Sequence, residues 1–89
     1  MGADEPERLP PPPFWRTRYF ALDVMPRREY LDPIEIQRIM RRPERREVQA
    51  DGRIRLWGYA ASLDGYLRVV LLSDGETVHN AFHDEDYQP

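Results

Sequence analysis

Tyr59, Arg68 and His79, with Arg55 and Trp57 beside them, are the residues of this 89-residue chain whose types and spacing can do chemistry. Cleaving RNA without a metal requires a base for the 2′-hydroxyl proton, cations for the pentavalent phosphate and an acid for the leaving oxygen. His79, Arg68 with Arg55, and Tyr59 match those roles in that order. Trp57 and Tyr59 can also stack unpaired bases while Arg53 and Arg55 hold the backbone. Each residue has a plainer reading. Trp57 and Tyr59 are ordinary strand residues, Arg68 can pair with an acid, and one histidine on a sheet is more often packed than catalytic. The sequence has no phosphate loop, zinc-ligand cluster or nucleophile elbow, and without cysteine it has no thiolate or disulfide chemistry. No cofactor is expected, neither metal nor nucleotide. His79 and His83 are the only imidazoles, and four positions apart on a strand they stand ~13 Å from each other, too far to share a metal. Asp84-Glu85-Asp86 can bind a cation loosely, but a solvated terminus is the expectation.

These side chains depend on the strands that carry them. Everything after Arg45 alternates between apolar and polar residues, punctuated by Asp51-Gly52, Asp64-Gly65 and Asp74-Gly75, three hairpin signals. The spacing predicts four antiparallel strands near 46–49, 53–62, 66–73 and 76–82. Two-residue turns at Asp64-Gly65 and Asp74-Gly75 set Gly58, Leu71 and Val78 in one cross-strand row, and Tyr59, Val70 and His79 in the next. A three-residue Ala50-Asp51-Gly52 loop with a glycine bulge sets Val48 beside Ile54 and Glu47 beside Arg55. One face then carries Val48, Ile54, Leu56, Leu67, Val69, Leu71, Val78 and Phe82 and must be the core. The other carries Arg55, Trp57, Tyr59, Arg68, Val70, Leu72, Thr77 and His79. It is too apolar for a plain solvated surface, so the Phe14-Trp15 arm, a second subunit or a ligand should cover part of it.

The apolar face needs a helix on it. Asp32-Pro33-Ile34-Glu35 combines an N-cap, a first-turn proline and a capping-box glutamate, with Leu31 and Ile36 as a hydrophobic staple. Ile36, Ile39 and Met40 form the stripe of a helix at about 33–42, and Pro43 forbids continuation. Residues 17–25 fit both periods, since Phe20 and Val24 are four apart while Phe20, Leu22 and Val24 alternate. A short helix stopped by Pro26 is the expectation there. Residues 1–16 form an acidic arm with Pro10-Pro11-Pro12-Pro13, which prefers an extended conformation or serves as a proline-motif ligand. The domain is expected over 17–83 and an acidic tail over 84–89.

Composition bounds the rest. The chain is 10.6 kDa with a net charge of −3, and all 13 basic residues are arginine. Removing the acidic head and tail leaves 12 arginines against 10 acids, so the folded part is mildly basic. Arg38, Arg41, Arg42, Arg45 and Arg46 crowd one stretch, which either meets phosphates or is a solvated helix end. No apolar run approaches the ~20 residues of a membrane span, and Met1–Glu7 is acidic rather than a signal peptide, so a cytoplasmic location without membrane contact is expected.

Arg46-Glu47-Val48-Gln49-Ala50-Asp51-Gly52-Arg53-Ile54-Arg55-Leu56-Trp57-Gly58-Tyr59, then Tyr66-Leu67-Arg68-Val69-Val70 and Asp74-Gly75-Glu76-Thr77-Val78-His79-Asn80-Ala81-Phe82, resembles a family of small uncharacterised bacterial proteins. The likeness runs from about Tyr19 to Asp86. That family is similar, more remotely, to domains near the RelE and BrnT toxins, small ribonucleases of toxin–antitoxin pairs with a helix-plus-meander fold. The resemblance implies RNA contact and metal-independent ribonuclease activity. A histidine often opens the first helix of that broader group, where this chain has Tyr19-Phe20-Ala21. RelE-type toxins also tend to be basic and lysine-rich, whereas this chain is net acidic and lacks lysine. The expected fold is α+β, a four-stranded antiparallel meander with one or two helices packed on one face. The alternative function is a non-catalytic module that binds a protein partner or a second copy of itself through Trp57, Tyr59, Val70 and Leu72.

Overall fold

A computed structural model describes residues 15–89 of the chain; the expectations for the proline-rich arm and for Phe14 lie outside them. The fold is α+β. Strands β2 (Arg45–Val48), β3 (Ile54–Ala60), β4 (Gly65–Leu71) and β5 (Thr77–His83) form an antiparallel meander. A two-residue strand β1 (Trp15–Arg16) adds to β5 in parallel, giving the order β1-β5-β4-β3-β2. The chain thus joins the sheet two residues before the domain start read from sequence.

Of the two periods that residues 17–25 fit, the four-residue spacing of Phe20 and Val24 prevails, and the chain is helical from Arg18 to Arg27. A π-helical turn (Phe20–Val24) runs into a 3₁₀ turn (Met25–Arg27), so Pro26 lies inside the helical segment instead of stopping it. Thr17 starts this segment: its hydroxyl accepts the Phe20 N–H at 3.1 Å, a cap that the sequence reading passed over. Helix α1 (Pro33–Arg41) begins where the capping signals place it, with Asp32 Oδ1 accepting the Ile34 N–H at 2.9 Å. Asp32→Ala should cost ~1 kcal/mol and lower the melting temperature by ~4–8 °C, measurable by thermal denaturation. Glu35 does not close a capping box. It is buried and reaches across to Ser62, accepting from its hydroxyl at 2.7 Å and its N–H at 3.3 Å.

Phe20, Val24, Leu31, Ile36 and Ile39 pack against Ile54, Leu56, Leu67, Val69, Leu71 and Val78 in one core, with α1 lying across β3 and β4. Two expected core members are elsewhere. Val48 is 60% exposed, because four-residue β2 lies at the sheet edge beyond the helix. Phe82 is on the opposite face, because the β4–β5 register slips: Leu71 faces Val78 but Val70 faces Asn80. The extra residue in β5 reverses the alternation beyond it. Among the described residues, no helix is long and apolar enough to cross a membrane.

The turns explain the other registers. Gly52, at φ +92°, closes the expected Ala50-Asp51-Gly52 loop, and Val48 pairs with Ile54 and Glu47 with Arg55. Asp64-Gly65 is not a two-residue turn. Ala61–Leu63 form a 3₁₀ turn and Asp64 alone takes the left-handed conformation at φ +50°, so Tyr59 faces Tyr66 and Gly58 faces Leu67. The displacement is four residues, an even number, and every side chain of β3 and β4 keeps its expected face.

Candidate functional site

The sheet face opposite α1 holds an open groove of about 610 Å³, lined by Tyr19, Gln49, Arg53, Arg55, Arg68, Val70, His79, Asn80 and Phe82. Arg55 and Arg68 reach it from the central strands, Arg53 from the end of the β2–β3 loop, and His79 and Asn80 from the bulged stretch of β5. No carboxylate lines the groove among the described residues. Each arginine has an acid within 4 Å outside that lining, and Arg68 is hydrogen-bonded to its own. Arg68 NH2 is 3.0 Å from Asp84 Oδ2, Arg55 NH1 is 3.8 Å from Glu47 Oε1, and Arg53 Nε is 3.9 Å from Asp51 Oδ2. Among the described residues, the buried Nε of Arg55 has no hydrogen-bond partner.

His79 is held by the first helical segment. Its Nδ1 lies 3.1 Å from Thr17 Oγ1, and its ring centroid is 5.1 Å from that of Tyr19. The Thr17 hydroxyl already accepts the Phe20 N–H and can still give its proton to His79 or accept one from it, so the contact serves either ring state.

Of the sequence-derived candidates, the groove gathers Arg53, Arg55, Arg68 and His79. Tyr59 is not among its lining residues. It lies four residues along β3 from Arg55, ~13 Å at strand rise, and its hydroxyl donates to Asp64 at 2.5 Å. That bond to a carboxylate, then partial burial and the Asp64 charge, push the Tyr59 phenol above its ordinary value. Arg41 ends α1 and Arg42 follows it, both exposed and neither in the groove. Tyr19, Asn80 and Phe82 line the groove and were not assigned to it from sequence. The Thr17 cap was the available signal for Tyr19, since a helix starting there turns that side chain toward β5.

Trp57 is only 5% exposed. Its indole N–H donates to Asp84 Oδ2 at 2.8 Å, its ring stacks on Tyr87 with centroids 5.4 Å apart and planes 15° apart, and the Arg68 guanidinium lies 5.4 Å from its centroid. The tail expected to be solvated thus buries Asp84 against the sheet. Burial alone would raise the Asp84 carboxyl, but the bonds from Trp57, Arg68 and the Asp86 N–H, with the Arg68 charge, outweigh it and hold the group below its ordinary value. Of the four residues considered as anchors for a protein interface, Trp57 and Val70 are buried.

Comparison with protein-family models, curated proteins and solved structures found no match.

Proposed function

We propose that this chain is a small RNA-contacting protein of the RelE/BrnT-like kind, which takes the phosphate backbone in the arginine groove. One observation carries the reading: Arg53, Arg55 and Arg68 converge on an open groove with His79, and no described carboxylate lines it. Guanidinium groups give bidentate contacts to phosphate oxygens, and Asp84 fixes the direction of Arg68 at the expense of part of its field. The same groove supports metal-independent cleavage. His79 takes the 2′-hydroxyl proton, the 2′-oxygen attacks phosphorus, and the arginines hold the dianionic phosphorane. The departing 5′-oxygen takes up a proton and a 2′,3′-cyclic phosphate remains. Tyr19, beside His79 in the groove, is better placed than Tyr59 to supply that proton.

The test is binding of a fluorescent single-stranded RNA 12-mer by anisotropy between 50 and 200 mM salt. Arg53→Ala/Arg55→Ala should weaken binding at least ~10-fold and flatten the logarithmic salt slope by ~1.4. His79→Gln should bind like wild type yet release no cyclic-phosphate ends. An unchanged affinity and slope in the arginine variant removes the groove from RNA contact.

A further inference from the structure

The C-terminal segment brings two unlike groups to one place. Asp84 sets a carboxylate on Arg68, with Oδ2 3.1 Å from Nε and 3.0 Å from NH2. Three residues later Tyr87 lays its ring almost parallel to the Trp57 indole. An anion on a guanidinium and a flat ring on an indole are the contacts that the phosphate and base of one nucleotide would make. Arg68 lines both the groove and an adjoining pocket of about 290 Å³, whose wall includes Trp57, Asp84, Asp86 and Tyr87.

The two halves of the segment are held differently. Asp84 is fixed by its bonds to Trp57 and Arg68 and by its N–H donating to Tyr66 O at 2.9 Å. Beyond it, Asp86 N–H donates to Asp84 Oδ1 at 3.1 Å and Tyr87 N–H to Asp84 O at 3.3 Å, both contacts within the segment. Glu85 reaches His83 only at 3.8 Å and is itself 80% exposed. Among the described residues, attachment to the sheet past that point rests on the Tyr87 ring against Trp57 and Tyr66, so lifting that one ring would release 85–89 while Asp84 keeps the indole edge in place.

We infer that the Trp57 face is a nucleobase-stacking subsite continuous with the arginine groove, and that Tyr87 occupies it in the absence of RNA. This rests on the RNA-backbone reading above. With Tyr87 displaced, an unpaired base stacks on the indole in its stead while Arg68 stays against Trp57 and reaches the neighbouring phosphate. The terminal segment is then a built-in competitor that weakens binding of RNA but not of bare phosphate.

The test uses a Trp15→Phe background, in which Trp57 is the sole indole of a chain with two tryptophans. Full-length protein, a chain ending at Asp84, and Tyr87→Leu are each titrated with the RNA 12-mer and with inorganic polyphosphate. Tyr87→Leu retains an apolar cover and serves if the truncated chain melts early. Both variants should bind RNA ~10-fold more tightly than the full-length chain, with quenching of Trp57 emission, and Tyr87→Leu, which keeps Glu85 and Asp86, should bind polyphosphate equally and without quenching. RNA affinity that stays level or falls in the variants, with Trp57 emission unmoved by RNA, makes Tyr87 a permanent cover and overturns the subsite while leaving the groove standing. Failure of every form to bind either probe at low salt overturns both.

Discussion

Asp84→Asn is expected to lower folding stability by ~2–3 kcal/mol at pH 7, a fall in melting temperature of ~10–20 °C for a domain of this size. The reason is the number of donors aimed at one carboxylate. Oδ2 accepts from the Trp57 indole and from two nitrogens of Arg68, and Oδ1 accepts from the Asp86 N–H. An asparagine has one carbonyl oxygen, so whichever way the amide turns, its NH₂ must face a donor. Arg68 is 27% exposed and recovers some hydration, which keeps the loss below that of a fully buried pair. The pH dependence identifies the cause. The folded Asp84 carboxyl lies below its unfolded value of ~3.9, so its contribution is complete above that value and is lost as pH falls through the folded one. Urea denaturation of wild type and variant should differ most at pH 7 and converge in acid. Asp74 is shifted the same way: burial opposes, but bonds from the Thr77 hydroxyl and the Glu76 and Thr77 N–H groups prevail. Its effect is present in both proteins and cancels from the comparison. A gap that stays constant down to the lowest pH at which wild type folds would show that Asp84 acts through packing and not through its charge.

Sequence carried the local signals and lost those that depend on a distant partner. Asp32 and Pro33 start α1 because cap and first-turn proline act within four residues, and the Asp51-Gly52 loop sets the β2–β3 register for the same reason. Glu35 has the right spacing for a capping box, yet it bonds Ser62, which the fold brings to it. That contact also holds the Ala61–Leu63 turn where Asp64-Gly65 alone reads as a tighter one. The bulge opposite Val70 leaves no mark in an alternating strand, and it decides that Phe82 joins the groove face. Asp84-Glu85-Asp86 reads as a solvated run because composition treats its three acids alike. Only the register of β5 with β4 places the first of them beside Arg68 and Trp57. The candidate site was legible to the same degree. The face assignments gathered Arg55, Arg68 and His79, whereas Tyr59 shares their face but is displaced along it.

Gly58→Ala is expected to destabilise the domain by ~2 kcal/mol, although alanine suits a strand better than glycine does. A Cβ at this position would lie 2.6 Å from Ile39 Cγ1 and 3.2 Å from both Cγ2 and Cδ1. Rotating Ile39 trades one γ-carbon for the other, and a β-branched residue in a helix has essentially one χ1 well. β3 cannot retreat, since it is paired with β2 and β4 on its two sides. The strain must lift α1 from the sheet and loosen the packing of Ile36 and Leu31 with it. Removing the obstacle tests this directly. Ile39→Ala alone should cost ~2–4 kcal/mol as a cavity, but the double variant Gly58→Ala/Ile39→Ala should be more stable than the sum of the two losses by ~1–2 kcal/mol, because the new methyl enters the space vacated. Strict additivity in denaturant titrations would locate the clash elsewhere. Arg55 and Trp57 project from the opposite face of the same strand, so at temperatures well below the melting transition Gly58→Ala should bind the RNA 12-mer as wild type does. A variant that loses stability while keeping affinity separates the helix-bearing face of the sheet from the groove.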